Sequence, residues 1–440
     1  MKIYTSILFL IVFAFISEYA QAQDWVEFEN VSNTNIVADS GLGLNDTFEK
    51  DLEAADLDRD GDVDLIIARK VRFSTAGGKA NILLMNENGV MTDRTSTYAA
   101  DFLDDTDDRD VIAVDVNNDG WLDVVTATTF SETPRVYMNL GEMNGQWLGL
   151  DYVAADGRIL PFPIGPKFCA VAAGDVTGDG FVDLFFADYA NNLEDRLLVN
   201  DGQGFFVDET DTRMTAAMSE SVFGTSAEIV DMNGDTFKDI VKVSSSGNMP
   251  PPGSTPPQVR IMYNDGTGNF SEESRFNDLK PYMMEVFDIN NDDRMDVFVV
   301  SDDQDFVMRN TGNDNDDLAV FDISEITNSP NTDFFGGNTF RADLDGDGFE
   351  DMMVADVDTD IAGCDRFLVG LRNINGNSLV DPFRGQGRPW LTEGTFDIAI
   401  ADFNNDGFLD MWSGICDGNR LFFQIPRDLI FRNGFETTTP

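Results

Sequence analysis

The 440-residue chain carries 80 acidic residues against 29 Lys and Arg, which gives a formal net charge of −51, and it contains no histidine. A surface this acidic repels nucleic acid and anionic lipid, so neither is an expected partner. The lack of histidine excludes Ser-His-Asp and Cys-His catalysis and histidine-ligated zinc. Three cysteines, Cys169, Cys364 and Cys416, are too few for a scaffold built from disulfides.

The N-terminus has the features of a secretory signal peptide. Lys2 precedes an apolar run from Ile7 to Ile16, and Ala20-Gln21-Ala22 provides the small residues of a cleavage site. We expect residues 1–22 to be removed, and the mature protein to be secreted, periplasmic or at the cell surface. No later stretch is apolar and long enough to span a bilayer. An uncleaved N-terminal anchor is the alternative.

An acidic nine-residue motif recurs at near-constant spacing. One copy reads Asp343-Leu-Asp-Gly-Asp-Gly-Phe-Glu-Asp351, with carboxylates at positions 1, 3, 5 and 9 and glycine at position 6. The copies start at Asp56, Asp115, Asp175, Asp231, Asp288, Asp343 and Asp402. A fixed period of this kind indicates a repeat architecture.

Each copy is predicted to bind one Ca²⁺, so up to seven ions are expected. Several carboxylates in one tight turn repel each other unless a divalent cation neutralises them, and Ca²⁺ takes six to eight oxygen ligands. The side chains at positions 1, 3, 5 and 9 and the carbonyl at position 7 are the expected donors. In chain order the predicted ligands are Asp56, Asp58, Asp60, Asp62, Asp64, Asp115, Asn117, Asp119, Trp121, Asp123, Asp175, Thr177, Asp179, Phe181, Asp183, Asp231, Asn233, Asp235, Phe237, Asp239, Asp288, Asn290, Asp292, Arg294, Asp296, Asp343, Asp345, Asp347, Phe349, Asp351, Asp402, Asn404, Asp406, Phe408 and Asp410.

The motif has two other interpretations. Solvated acidic turns without a metal would share the composition, although seven aligned copies argue against chance. An EF-hand would need a bidentate Glu at position 12, where this chain has Ile67, Thr126, Phe186, Lys242, Val299, Val354 and Ser413.

Apolar, strand-like segments flank every motif. Phe168-Cys-Ala-Val-Ala precedes the third copy and Val182-Asp-Leu-Phe-Phe-Ala follows it. A third strand then leads into a hairpin such as Asn200-Asp-Gly-Gln-Gly, and a fourth strand follows. Four antiparallel strands in each period of about 57 residues make a propeller blade. The predicted fold is therefore all-β, a seven-bladed β-propeller over residues 23–425, with a C-terminal tail at 426–440.

The seventh repeat lacks a fourth strand of its own. The segment Trp25-Val-Glu-Phe-Glu-Asn-Val31 resembles the fourth strands elsewhere, so we predict that it completes blade seven and closes the ring. Cys364 and Cys416 precede similar strands in adjacent repeats and could pair in an oxidising compartment, whereas Cys169 lies in an apolar strand and is expected to be buried.

The motifs and strands together resemble the FG-GAP/VCBS-type repeats of the integrin α-subunit propeller. The resemblance covers roughly residues 24 to 424, and it implies Ca²⁺ between the first and second strands of each blade. Phe-Gly survives at Phe223-Gly224 and Phe335-Gly336, and no Gly-Ala-Pro occurs. An integrin-like ligand therefore does not follow from the resemblance.

The loops are not expected to be equal. Thr236 and Asp293 replace the glycine at position 6 in blades four and five, so these sites should bind Ca²⁺ most weakly. Aromatic residues at position 7 are expected to pack between blades. Ligand-binding aromatics are expected on the opposite face of the ring, with packing under their own loops as the alternative; they are Tyr98, Phe102, Phe162, Phe334, Phe335 and Trp390.

The function predicted from these observations is a secreted, monomeric, calcium-stabilised binding or adhesion module for an extracellular glycan or protein. The first alternative is a polysaccharide lyase or glycosidase that uses an Asp/Glu pair or a catalytic Ca²⁺. The second alternative is a purely structural role.

Overall fold

The computed structural model describes residues 25–37, 48–71, 76–130, 133–152, 157–162, 167–189, 194–220, 223–245, 256–277, 279–301, 304–326, 337–357, 366–383, 394–415 and 418–426. The predicted signal peptide, Cys364, Cys416, Phe334, Phe335, Trp390 and the tail from residue 427 lie outside these ranges. Within them, no helix is long and apolar enough to cross a bilayer.

The N-terminal segment and blade 1 contain β1 (Phe28–Asn30), α1 (Ser32–Asn35), β2 (Ile36–Val37), β3 (Glu49–Ala55), β4 (Asp64–Arg69), β5 (Ile82–Asn86) and β6 (Met91–Asp93), followed by α2 (Thr95–Tyr98) and a 3₁₀ turn (Ala100–Leu103). Blade 2 contains β7 (Asp108–Val114), β8 (Asp123–Thr128), β9 (Val136–Asn139), a hairpin of β10 (Glu142–Met143) and β11 (Gln146–Trp147), and β12 (Leu150–Tyr152). Blade 3 contains β13 (Phe168–Gly174), β14 (Asp183–Asp188), β15 (Arg196–Asn200) and β16 (Phe206–Asp208), followed by α3 (Thr210–Arg213) and α4 (Ala216–Ser219).

Blade 4 contains β17 (Gly224–Val230), β18 (Asp239–Ser244), β19 (Gln258–Asn264) and β20 (Phe270–Phe276). Blade 5 contains β21 (Pro281–Phe287), β22 (Asp296–Ser301), β23 (Phe306–Asn313) and β24 (Ala319–Glu325). Blade 6 contains β25 (Thr339–Ala342), β26 (Asp351–Val357), β27 (Arg366–Ile374) and β28 (Ser378–Val380), and blade 7 contributes β29 (Thr395–Ala401), β30 (Asp410–Ile415) and β31 (Gly418–Gln424).

The seven sheets are antiparallel meanders, which confirms the predicted seven-bladed propeller. Blades 2 to 6 each have four strands, and blade 1 gains β2 as a fifth strand, parallel to β6. The first strands of successive blades, from β3 to β29, contact one another around the ring. They therefore surround the central axis.

The ring closes as the sequence predicted. Strand β1 is the outermost strand of blade 7, because Phe28 pairs with Gln424 and Asn30 with Phe422 in an antiparallel register. Trp25 is also buried, its indole ring packs against Phe383, and its Nε1 donates to Asp351 Oδ2 at 3.3 Å. The N-terminal segment thus joins the last two blades.

The core lies between neighbouring blades, where apolar faces of two sheets meet. Strands β4, β8, β14, β18, β22 and β30 are buried along their whole length. Between blades 7 and 1, for example, Leu65 and Ile67 pack with Trp412 and Leu421. Burying one such side chain contributes about 1.5–3 kcal/mol, so each blade depends on its neighbours for stability.

Three of the aromatics predicted on the ligand face pack inside the fold instead. Phe102 is fully buried and meets Tyr137 edge to face with ring centroids 4.7 Å apart. Tyr98 packs on Trp147, and Phe162 on Phe168 and Phe186. For these residues the packing alternative is correct, because the connections that carry them lie over the blades.

Candidate metal sites and ligand face

The seven acidic loops share one hydrogen-bonding pattern. In each loop, Oδ2 of the first Asp accepts the N–H of position 6 at 2.7 to 3.2 Å. Oδ1 of the Asp at position 5 accepts the N–H of position 7 at 2.8 to 3.1 Å. These bonds fold every loop into the same turn and hold the carboxylates on one side of the chain.

The Asp at position 9 is the most constrained residue of each loop. It is fully buried, its Oδ2 accepts the N–H of position 2 and its Oδ1 accepts the N–H of a residue on the third strand. Burial raises the pKa of Asp64 to about 8 and that of Asp239 to about 7, against the hydrogen bonds, which lower it. A nearby cation would favour the ionised carboxylate and so offset the cost of burying its charge.

In two loops the side chains at positions 1, 3 and 9 converge. One carboxylate oxygen each from Asp56, Asp58 and Asp64 lies within 4.8 Å of the others, and the same holds in the Asp343 loop. These are the two loops with Asp at position 3. Asp56 Oδ1 is buried and has no hydrogen-bond partner among the described residues. An all-oxygen donor set with a free buried acceptor fits a hard divalent cation.

Position 6 has the left-handed backbone that the sequence indicated. The glycines there have φ between 87° and 96°, and the replacements keep the same conformation, with Thr236 at φ 80° and Asp293 at φ 65°. Position 4 is also left-handed in all seven loops, which the sequence analysis missed. A signal was present, because position 4 is Gly or Asn in every copy except the first, where Arg59 has φ 61°.

The aromatic residues at position 7 do not all pack between blades. Phe181 packs against Gly202 and Phe237 against Gly266, so closely that a Cβ on either glycine would come within 2.7 Å of the ring. Both glycines belong to the same blade as the ring that covers them. Trp121 does bridge two blades, because the guanidinium of Arg59 stacks over it at 4.6 Å.

Two arginines reach into the loops. Arg372 Nη2 lies 2.6 Å from Asp345 Oδ2 and 3.5 Å from Asp347 Oδ2, and Arg294 pairs with Asp292 of its own loop. Each guanidinium partly neutralises carboxylates that the sequence assigns to a metal. In these two loops a cation has to compete with an arginine.

A second ring of residues, missed at the sequence level, ties the loops together. Each third strand contains an amide side chain whose nitrogen donates to the carbonyl of position 2 in the preceding blade's loop, at 2.7 to 2.9 Å. The seven residues are Asn86, Asn139, Asn200, Asn264, Asn310, Asn373 and Gln424. The sequence did contain a signal for these contacts, because an amide residue stands at the end of every third strand. The sequence analysis related that position only to hairpin formation.

The face opposite the loops carries a small aromatic surface. Phe130 and Tyr189 have ring centroids 6.1 Å apart, and Tyr189 and Phe223 are 4.6 Å apart. Lys70 Nζ lies 5.1 Å from the Phe130 centroid and Lys167 Nζ 5.9 Å. Phe130 (φ 67°) and Phe223 (φ 53°) both have a backbone that aromatic residues rarely adopt. We call Phe130, Tyr189 and Phe223 the aromatic patch; strained residues of this kind cluster at functional sites.

The geometry defines the class of protein as a seven-bladed β-propeller with an acidic loop in each blade. Comparison with protein-family models matched the FG-GAP-like repeat to residues 56–126, 115–186 and 175–242. With the seven-bladed ring, these three repeats fit an FG-GAP repeat propeller like that at the N-terminus of integrin α-subunits.

Solved structures that are similar to this chain have low sequence identity to it. One is a chain of the crystal structure of BBS1N in complex with ARL6DN, with TM-score 0.50 and 11% identity over 92% of this chain and 97% of that chain. Another comes from a study of specific recognition of non-reducing terminal N-acetylglucosamine by an Agrocybe aegerita lectin, with TM-score 0.47 and 16% identity over 87% and 86% of the two chains. A search of curated proteins found no match.

Proposed function

We propose that the protein is a secreted, calcium-stabilised propeller that acts as a binding module for an extracellular glycan or protein. The observation that carries the calcium part is the convergence of three carboxylates in the Asp56 and Asp343 loops. The same turn, with the same internal hydrogen bonds, recurs in the other five loops. The signal peptide predicted at the N-terminus supports an extracellular location.

In this proposal each Ca²⁺ is held by the side chains at positions 1, 3, 5 and 9 of its loop and by the carbonyl at position 7. The ion supplies positive charge where several Asp side chains meet, so it stabilises the turn between the first and second strands of each blade. Because the amide side chains of the third strands connect each loop to the next blade, stabilising a loop also stabilises the contact between blades.

The aromatic patch is the surface that we assign to ligand binding. It lies on the face away from the loops, where the partly exposed rings of Phe130, Tyr189 and Phe223 can stack on a sugar or receive an apolar side chain. Phe130 and Tyr189 follow second strands, so they lie on the face where the sequence analysis expected ligand-binding aromatics. A partner bound there leaves the calcium loops free.

The test is a glycan array, together with capture of extracellular matrix proteins, using the full chain and the variant Phe130→Ala. Phe408→Ala is the matched control, since Phe408 is partly exposed but lies on a calcium loop. We expect at least a tenfold loss of binding for Phe130→Ala and none for Phe408→Ala. Equal binding by the two variants would rule out the aromatic patch as the ligand site.

A further inference from the structure

Blades 1 and 6 carry acidic loops with the same side-chain donors but with different surroundings. Both loops have Asp at positions 1, 3, 5 and 9 and glycine at position 6, with φ 96° at Gly61 and φ 90° at Gly348. In both loops, one carboxylate oxygen from each of positions 1, 3 and 9 lies within 4.8 Å of the others. A difference in calcium affinity between the two loops therefore has to come from the residues around these donors.

The residue just before the third-strand amide distinguishes the two blades. It is Met85 in blade 1, where the side chain is buried in an apolar cluster with Leu83 and Trp147. It is Arg372 in blade 6. In both blades the backbone N–H of the amide residue donates to Oδ1 of the position 9 Asp, so the residue before it lies beside the acidic loop. Blade 6 thus has a cation where blade 1 has an apolar side chain.

The guanidinium of Arg372 bridges two of the predicted calcium ligands. Its Nη2 lies 2.6 Å from Oδ2 of Asp345 and 3.5 Å from Oδ2 of Asp347, which are positions 3 and 5 of the loop. The side chain of Asp345 is fully buried and that of Arg372 is only 15% exposed, so solvent ions screen this pair little. The arginine therefore supplies positive charge that the carboxylates would otherwise take from a metal ion.

Blade 1 has no internal cation of this kind in the described part of the chain. Arg59 belongs to its loop, but the guanidinium stacks over Trp121 of blade 2 at 4.6 Å. Among the described residues, no ion pair reaches Asp56, Asp58 or Asp60, and Asp56 Oδ1 is buried without a hydrogen-bond partner. The carboxylates of blade 1 are thus left for an external cation.

The position of Arg372 also allows it to be displaced. Its Nε is buried and has no hydrogen-bond acceptor among the described residues. A buried donor without an acceptor is unfavourable, so the guanidinium gains hydrogen bonds to water when it turns outward. Ca²⁺ needs oxygens of Asp345 and Asp347, and it repels a guanidinium at this distance. The ion and the arginine therefore exclude each other at blade 6.

We propose that Arg372 sets the calcium threshold of blade 6. At low free Ca²⁺ its guanidinium holds the carboxylates of the loop, and at higher Ca²⁺ the ion displaces it. This inference rests on the proposed calcium binding, because it concerns the affinity of one of those sites. It assigns different roles to the two loops: blade 1 keeps its ion over a range of Ca²⁺ concentrations in which blade 6 exchanges an ion for an arginine.

Calcium occupancy in crystals of the full chain, equilibrated at a series of free Ca²⁺ concentrations, measures each loop separately. We expect blade 6 to reach half occupancy at a free Ca²⁺ concentration at least tenfold above that of blade 1. Arg372→Met gives blade 6 the residue of blade 1 and should remove most of this difference. Arg372→Lys keeps a positive charge and should preserve most of it.

Two results would overturn this inference and leave the calcium assignment intact. One is that blade 6 of the unchanged protein fills together with blade 1 or before it. The other is that the Met and Lys variants fill blade 6 at the same Ca²⁺ concentration, since the charge at position 372 would then have no effect. If blade 1 also stays empty at saturating Ca²⁺, the proposed calcium binding fails and this inference fails with it. Should Arg372→Met not fold, the occupancy series on the unchanged protein decides.

Thermal melts separate a displaceable cation from a merely structural arginine. In excess EGTA, Arg372→Met leaves the carboxylates without a cation, so its melting temperature should fall below that of the unchanged protein. In excess Ca²⁺ the ion takes that role, and the two melting temperatures should agree. Arg275→Met, which removes an arginine paired with Glu273 on β20, is the matched control and should shift the melt equally in both conditions. A drop of the same size for Arg372→Met with and without Ca²⁺ would overturn the proposal.

Discussion

Single residues set the geometry of the acidic loops, and the position 9 Asp and the third-strand amide together contribute most of it. The Asp accepts two backbone N–H groups from different parts of its blade. The amide of Asn200 links two carbonyls, Val182 of its own loop and Val116 of the preceding one, and its oxygen accepts the N–H groups of Gly202 and Gly204. Each amide therefore stabilises a hairpin, a loop and a contact between blades.

Replacing one of these amides should destabilise the whole ring. Asn200→Ala leaves buried carbonyl and N–H groups unpaired, each at a cost of about 1–3 kcal/mol. We expect a marked drop in the midpoint of thermal unfolding at fixed Ca²⁺. Asn377→Ala, at an exposed turn of blade 6, is the control and should change little. A drop of the same size in both variants would show that the third-strand amide has no special role.

The strained backbone at position 6 of blade 4 predicts a substitution that raises stability. Thr236 is held at φ 80°, a conformation that costs a β-branched residue on the order of 1–3 kcal/mol. Thr236→Gly relieves this strain, so it should raise stability by about 1 kcal/mol after the entropy cost of glycine. The reverse substitution in blade 3, Gly180→Thr, should lower it. Chemical denaturation measures both changes, and a destabilised Thr236→Gly variant would contradict the strain argument.

The sequence predicted the positions of the loop residues but not all of their contacts. Glycine at position 6 correctly predicted a left-handed backbone, because few other residues adopt that conformation. The ion pair of Arg372 with Asp345 could not be predicted, since it depends on how the third strand lies beside the loop. The packing of Phe181 on Gly202 could not be predicted either, because a periodic motif does not show which residue an aromatic side chain contacts.

At the level of strands, the closure of blade 7 was predicted correctly because a missing fourth strand leaves an unpaired edge. The parallel addition of β2 to blade 1 and the hairpin of β10 and β11 in blade 2 were not predicted. Both occur in connections outside the repeat, where no second copy exists for comparison.

The N-terminal segment should contribute as much as a core strand. Trp25→Ala removes a buried ring from Gly370 and Phe383 and a hydrogen bond to Asp351, so we expect a loss of about 3–5 kcal/mol. Glu29→Ala, on the exposed side of β1, is the matched control and should stay within about 0.5 kcal/mol of the unchanged protein. Limited proteolysis should cut the Trp25 variant faster. Equal resistance of the two variants would mean that the segment does not hold blades 6 and 7 together.

For the molecule as a whole, seven similar loops need not bind equally. Blades 4 and 5 keep the turn only with a strained Thr236 or Asp293, and Arg294 already pairs with Asp292. Blade 1 has three converging carboxylates, a buried oxygen without a partner and glycine at position 6. During stepwise chelation followed by native mass spectrometry and occupancy in crystals, blades 4 and 5 should therefore empty before blade 1. Late release from blades 4 and 5 would contradict this order.

The most direct test of the account is the thermal unfolding of the full chain with excess Ca²⁺ and with excess EGTA at neutral pH. Binding to the native state alone stabilises it by about 4 kcal/mol per site at a thousandfold excess over Kd. Because the loops are linked around the ring, the sites should act on one cooperative transition. We predict that EGTA lowers the melting temperature by many degrees and that added Ca²⁺ restores it. The same melting temperature in both conditions would contradict the assignment of these loops to calcium.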